Sequence, residues 1–167
     1  MSNHELTREE FQALVLSLEE MPRKIMRLVE NLGEGEKLWK PRADEFSATE
    51  NVCHLRDIEE EGYSVRIRRL MEETEPFLSD LDGQALASER DYNSQNMYEA
   101  LDRFTRARSG NVAAVKELPP DGLNRRGMFE GTGAVTLGQL LLMMREHDEA
   151  HLKELESLRA SLQEIDA

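Results

Sequence analysis

The sequence predicts an all-α fold, a four-helix bundle that occupies residues 1–167 as a single domain. Three observations support this prediction. Apolar residues recur at steps of three and four in four separate segments. Three of these segments open with a capping box, in which a Ser or Thr is followed three residues later by Glu or Gln. Charged residues make up 33% of the chain and hydrophobic residues 39%, which is typical of helices with one solvated face.

The first helix is predicted to begin at the capping box of Thr7 and Glu10 and to be ended by Gly33 and Gly35. Its apolar stripe consists of Phe11, Leu14, Leu18, Met21, Ile25, Leu28 and Leu32. Pro22 lies within this stripe, so we expect a kink or a local break about one turn before it. Residues 36–46 are predicted to form a loop.

The second helix is predicted to begin at the capping box of Ser47 and Glu50 and to run to about Met71. His54 lies on its inward face, together with Asn51, Ile58, Gly62 and Val65. Residues 73–93 then form a long connection that we expect to lie over the bundle surface. Such a length permits a crossover, which predicts that helices two and three run parallel.

The third helix is predicted from about Ser94 to Leu118, and Arg108 interrupts its apolar stripe. Pro119, Pro120 and Gly122 end it, and a glycine-rich loop follows over residues 121–135. The fourth helix begins at the capping box of Thr136 and Gln139 and runs to about Leu162. His147 and His151 share the inward face of this helix with its leucines.

The charge balance excludes some classes of partner. Twenty-one basic and 34 acidic residues leave a net charge of −13, which repels nucleic acids and anionic membrane surfaces. The longest apolar run, residues 140–144, is too short to span a bilayer, and residues 1–10 show no signal-peptide pattern. Cys53 is the only cysteine, so we expect a reducing, cytoplasmic setting. As the partner we expect a small-molecule substrate.

Three of the four histidines are candidate metal ligands. His147 and His151 are one helical turn apart and can bind the same ion, and His54 projects inward from the second helix. The alternative is that each is a hydrogen-bonded core residue. Three imidazoles leave coordination positions open, as in catalytic sites, and suit a divalent transition metal, with zinc or nickel favoured and iron possible. His4, near the terminus, is not expected to contribute.

Polar residues near these histidines have competing interpretations. Asp57, Asp148 and Glu50 could accept hydrogen bonds from the ligands, although Glu50 already fits a capping box and the two aspartates could be solvated. Arg108 is expected to pair with a carboxylate such as Asp57 or Glu61; the alternative is that it binds an anionic substrate. Cys53 faces away from His54, and Met143 and Met144 are interpreted as core residues.

Four stretches of the sequence resemble the DinB/YfiT superfamily of metal-dependent enzymes. They are residues 39–41, residues 46–57, residues 133–137 and residues 147–152. The resemblance implies a four-helix bundle whose metal ligands are one histidine on helix two and an H-x-x-x-H pair on helix four. Those positions are His54, His147 and His151 in this chain. Phe46 stands where many members have tryptophan, which keeps an aromatic residue at that place.

The resemblance leaves the reaction open. Some members transfer low-molecular-weight thiols to electrophiles and others are described as metal-dependent hydrolases, and homodimers are common. Our first hypothesis is a transferase in which the metal deprotonates a thiol cosubstrate for attack on a small electrophile. A hydrolase would use water instead and would need a base, for which Asp57 and Glu50 are the candidates. The third alternative is a metal-binding stress or interaction protein without turnover.

Overall fold

The computed structural model describes residues 5–119 and 121–167, so the expectations for His4 and Pro120 lie outside the described residues. In chain order the elements are α1 (Arg8–Val29), α2 (Glu34–Leu38), α3 (Ala48–Asp57), a π-helical segment (Ile58–Tyr63), α4 (Ser64–Glu72), β1 (Phe77–Leu78), α5 (Gly83–Glu89), a 3₁₀ turn (Tyr92–Ser94), α6 (Met97–Lys116), a second 3₁₀ turn (Gly122–Asn124), β2 (Arg126–Phe129), β3 (Gly133–Thr136) and α7 (Leu137–Ile165). The predicted all-α class is confirmed. No helix among the described residues is long and apolar enough to cross a membrane.

All three predicted capping boxes are present at the starts of α1, α3 and α7. At α3, for example, the Glu50 N–H donates to Ser47 Oγ at 3.0 Å, and the Ser47 N–H donates to Glu50 Oε2 at 2.9 Å. Each box satisfies two backbone donors that would otherwise lack a partner. The starts of these helices are therefore encoded locally.

The two long connections contain more structure than the sequence predicts. Residues 73–93 include β1 and α5, and residues 121–135 include β2 and most of β3. β1 pairs in parallel with β2, with Phe77 opposite Met128, and β2 pairs antiparallel with β3. The turn between β2 and β3 uses positive φ angles at Gly131 and Gly133, which glycine adopts without strain. Strands of two and four residues are too short to show a clear alternating pattern, so the sequence does not predict this sheet.

The second long helix, which consists of α3, the π-helical segment and α4, runs parallel to the third, α6, as predicted. Three side-chain pairs join them: Arg56 with Gln95, Glu60 with Arg103, and Ser64 with Asn111. The residue numbers rise together on both sides, which only parallel helices allow. α3 and α7 instead run antiparallel, because Asn51 lies next to His151 and His54 next to His147.

α1 continues through Pro22, so of the two expectations there, a kink or a local break, the break is wrong. Proline has no N–H, which deprives the Leu18 carbonyl of its helical donor four residues later. Arg108 supplies the missing hydrogen bond, because its Nη1 donates to Leu18 O at 3.0 Å. A side chain from α6 thus compensates for the proline.

Arg108 lies in a buried polar layer between two apolar clusters. One cluster includes Leu14, Val112 and Met144, and the other includes Ile25, Phe104 and Leu155. The guanidinium makes paired hydrogen bonds of 2.7 to 3.0 Å with both oxygens of Glu59 and both oxygens of Asp148. All three side chains are 1% exposed.

Arg108 pairs with carboxylates, as expected, but these are Glu59 and Asp148 rather than Asp57 or Glu61, which bind Arg90 instead. Asp148 is buried, so the alternative that it is solvated is wrong. Glu59 lies in the π-helical segment and is 1% exposed, and all ten residues of the preceding α3 are buried as well. Because α3 is buried on every side, an amphipathic pattern does not indicate which of the acidic residues that follow it faces Arg108.

Candidate metal centre

The three histidines predicted as ligands form one cluster between α3 and α7. One ring nitrogen from each of His54, His147 and His151 lies within 4.8 Å of the other two. The closest pair is His54 Nε2 and His147 Nε2, which are 3.0 Å apart. Because α3 and α7 are antiparallel, the single histidine of α3 faces both histidines of the H-x-x-x-H pair.

His151 is held in a fixed orientation through its Nδ1. This atom lies 2.8 Å from Asn51 Oδ1 and 3.0 Å from Glu154 Oε2. The Asn51 amide is itself fixed, since its Nδ2 donates to the Ser47 carbonyl at 3.1 Å. Two acceptors at Nδ1 place the ring proton there, so Nε2 keeps a free lone pair toward the cluster.

His54 is held by packing instead. The side chain is 8% exposed, and the ring of Phe46 lies 5.5 Å from it between centroids. The backbone of Gly83 approaches the other side so closely that a Cβ there would be 2.4 Å from His54 Cε1. His54 Nδ1 is buried without a hydrogen-bond partner among the described residues.

Burial keeps the imidazoles of His54 and His147 neutral. It lowers the pKa of His54 to about 4, and the neighbouring His151 lowers it further. Burial, followed by the proximity of His151 and His54, lowers the pKa of His147 to about 2. Because neutral imidazole is the form that binds a metal, protons compete only weakly for His54 and His147 near neutral pH.

The cluster fits a divalent transition-metal ion. Metal–imidazole bonds of about 2.0 to 2.1 Å allow two ligand nitrogens to be up to about 4.2 Å apart. The pair at 3.0 Å meets this limit, and a separation of 4.8 Å would have to close by roughly 0.6 Å, which a small side-chain rotation provides. Among the described residues, the hydrogen-bond-length contact of His54 Nε2 is with another imidazole nitrogen, an arrangement that a shared ion explains.

The histidines form part of the lining of a large cavity. Its volume is about 1220 Å³, which is large enough for a small organic substrate. Parts of both long connections line it, including residues 80–84 of the first and residues 130–131 of the second. The connection that we expected merely to cross the bundle surface therefore forms part of the wall of the candidate site.

The other predicted site residues lie outside this lining. Asp57 is 1% exposed, and its oxygens accept hydrogen bonds from Arg56 at 2.7 Å, Arg90 at 2.8 Å and Tyr92 at 2.6 Å. Burial raises the pKa of Asp57, but these hydrogen bonds outweigh it and bring the pKa below its ordinary value. Asp57 is therefore a buried, hydrogen-bonded residue rather than a solvated one. Glu50 serves its capping box.

Comparison with known proteins agrees with this geometry. The sequence profile described as the DinB superfamily matches residues 17–155. The chain belongs to the DinB superfamily. Among solved structures, this superfamily member is similar to YfiT from Bacillus subtilis, described as "a probable metal-dependent hydrolase with an unusual four-helix bundle topology". The two share 18% identity and a TM-score of 0.90, over 98% of this chain and 93% of the other. No curated protein matches the sequence in a direct comparison.

The sequence pattern does not assign to the site three residues that contact the histidines in this member of the DinB superfamily. Asn51 was placed on the inward face of its helix but not linked to His151. Glu154 stands three residues after His151, a helical spacing that could have suggested the contact. Gly83 approaches His54 from a distant connection, and nothing in the local sequence indicates this.

Proposed function

We propose that this chain is a metal-dependent hydrolase acting on a small molecule, with His54, His147 and His151 as the ligands of one divalent transition-metal ion. The convergence of three ring nitrogens at a large cavity carries the proposal. A divalent ion held there would supply Lewis acidity, which lowers the pKa of a bound water to about 7 and polarises a substrate oxygen. Three protein ligands leave room in its coordination shell for both.

The surrounding residues have distinct roles in this proposal. Asn51 and Glu154 orient His151, and Phe46 and Gly83 confine the ring of His54. Glu154 also lines the cavity, and the hydrogen bond from His151 lowers its pKa, so it is a carboxylate at neutral pH. We therefore assign to Glu154 the base function for which Asp57 and Glu50 were the first candidates.

Asp57 acts on the site only indirectly in this proposal. Its hydrogen bonds to Arg90 and Tyr92 tie α3 to the segment that follows α5, and thereby support the helix that carries His54. Arg108 supports α7 in the same way through Asp148, the residue next to His147. We accordingly propose that neither residue contacts the substrate.

Water is the nucleophile that we favour over a thiol. The YfiT structure is described as that of a metal-dependent hydrolase, and no comparison supports thiol transfer. The homodimer implied by the resemblance remains part of the proposal, and size-exclusion chromatography with light scattering tests it. The cytoplasmic setting, based on the single cysteine, also stays a prediction.

The test begins with metal content in untagged protein, because a histidine tag could supply a false ligand. We expect His151→Ala to lose bound metal relative to wild type. His4→Ala, which removes the remaining histidine of the sequence, is the matched control and should retain it. Equal metal content in wild type and His151→Ala would contradict the ligand assignment.

The reaction is tested next with metal-loaded wild type against a panel of esters and amides, with thiols and a model electrophile in a parallel series. We expect hydrolysis that is lost in His151→Ala. Turnover only in the thiol series would favour a transferase. Bound metal without turnover in either series would favour a binding protein.

A further inference from the structure

The wall of the cavity beside the three histidines is strongly negative. Among the described residues that line it, six are acidic and one, Lys153, is basic. The six acidic residues are Asp44, Glu45, Asp80, Asp82, Glu130 and Glu154. A concave surface with one sign of charge concentrates ions of the opposite sign. The cavity should therefore attract cations and repel anions.

Three of the six carboxylates lie near cationic side chains, but these contacts are long. Arg42 Nε lies 3.5 Å from Asp44 and 3.9 Å from Glu45, and all three residues are exposed. Arg66 Nη2 lies 3.5 Å from Asp80 Oδ1 and gives its shorter hydrogen bonds to a backbone carbonyl. The two Arg42 pairs are exposed and therefore weak, whereas Arg66 is buried and offsets part of the charge of Asp80.

The other three carboxylates are held in place without a Lys or Arg partner among the described contacts. Asp82 accepts hydrogen bonds of 3.0 and 3.1 Å from two backbone N–H groups at the start of α5. Glu130 accepts one of 3.0 Å from the backbone N–H of Asp80, and Glu154 accepts its bond from His151. Such bonds fix the oxygens while leaving the negative charge in place.

A second observation separates this cavity from an ordinary acidic surface. His54 is 8% exposed and lines the cavity, and its Nδ1 has no hydrogen-bond partner among the described residues. Its Nε2 converges with the other two histidines. A divalent ion there would add two positive charges, fewer than the negative charges of the wall. The histidines thus provide the reacting end of the site, and the carboxylates determine the charge of what enters it.

We propose that the substrate of this site is a small organic cation, an ester or amide that carries an ammonium group. Its ammonium would lie against the wall formed by Asp82 and Glu130, with the bond to be hydrolysed at the histidines and Glu154 beside them. This inference rests on the proposed hydrolase function and adds the charge of the substrate to it. It also disfavours anionic substrates, including thiols that carry carboxylates.

The test uses three hydroxamates of matched length, since hydroxamates bind metals directly and differ here only at the far end. The probes are 6-aminohexanohydroxamic acid, hexanohydroxamic acid and the monohydroxamate of adipic acid. Calorimetry on metal-loaded wild type should give the tightest binding for the ammonium probe, about tenfold tighter than the neutral probe, and the weakest for the carboxylate probe. The preference should shrink at high salt.

The variant that tests the wall is Asp82→Asn combined with Glu130→Gln, because both amides keep an acceptor oxygen and asparagine still caps a helix. Its matched control is Glu9→Gln with Glu117→Gln, which changes the net charge equally at exposed positions outside the cavity lining. We expect the cavity variant to lose most of the preference for the ammonium probe and the control to keep it.

Other outcomes would overturn the inference in distinguishable ways. If metal-loaded protein binds the neutral or carboxylate probe at least as tightly as the ammonium probe, the substrate is not a cation, although the metal site survives. The same holds if the cavity variant keeps the full preference. If no probe binds and His151→Ala contains as much metal as wild type, the proposed function fails together with this inference.

Discussion

Replacing Gly83 with alanine should damage the metal centre without touching a ligand. A Cβ at this position would lie 2.4 Å from His54 Cε1 and 2.7 Å from His54 Nδ1. Ordinary van der Waals contacts of a Cβ begin at about 3.4 Å, so the methyl group and the ring must separate by about 1 Å. The backbone of Gly83 does not have a positive φ, and alanine causes no conformational strain there.

The imidazole should move rather than the backbone. Asp82 caps the start of α5 through two hydrogen bonds, and Ala87 of the same helix is buried in the core. The ring of His54 can rotate about its side-chain bonds, but only by changing the 3.0 Å separation between its Nε2 and that of His147. Disturbing residues that orient a metal ligand typically costs about 10- to 100-fold in metal affinity, and we expect a loss of that size.

The assay is a titration of metal-free protein with Co²⁺, followed by absorption, and with Zn²⁺ in competition with a chelator. The matched control is Gly110→Ala in α6, where a Cβ would meet no atom within 4 Å. The control should retain wild-type metal affinity and gain about 0.5 to 1 kcal/mol in helix stability. Wild-type affinity in folded Gly83→Ala, or an equal loss in both variants, would refute the argument.

Two further predictions concern the buried polar residues. Arg108→Met should lower the free energy of unfolding by about 3 to 5 kcal/mol, because Glu59 and Asp148 would remain buried without a cation. Urea unfolding measures this, and a loss below about 1 kcal/mol would contradict the prediction. Asp57→Asn should cost about 1 to 3 kcal/mol near neutral pH, measured the same way with metal content as a second readout. Burial raises the pKa of Asp57, but hydrogen bonds from Arg56 and two other donors lower it below 3.8. The extra stability of wild type over Asp57→Asn is therefore present above that pH and is lost as the pH falls through the folded-state pKa. An advantage that grows on acidification would exclude this explanation.

Part of the candidate site could be predicted because helical geometry is local. The spacing of His147 and His151 places both on one face of a helix, and the position of His54 relative to its apolar neighbours turns it inward. The structure brings all three together. Helical periodicity alone therefore places the three side chains toward the interior, without knowledge of how the helices pack.

The contacts around the ligands could not be predicted in the same way. Asn51 lies 100 positions from His151, and Gly83 reaches His54 only because β1 and α5 fold back over the bundle. Glu59, one partner of Arg108, lies 49 positions away and directly follows α3, a helix that is buried on all sides, so no amphipathic stripe marks it as the partner. These contacts arise from packing between distant segments rather than from a periodic pattern.

The sequence by itself determined the all-α class, the starts of three long helices, and the three histidines that face the interior. Capping boxes and helical periodicity act within a few residues, so a single sequence is enough to reveal them. Only the tertiary structure decided which groups orient those histidines and which carboxylates line the cavity beside them. Those features depend on the antiparallel packing of α3 on α7 and on two connections closing over the site, and such long-range contacts leave no local signal in the sequence.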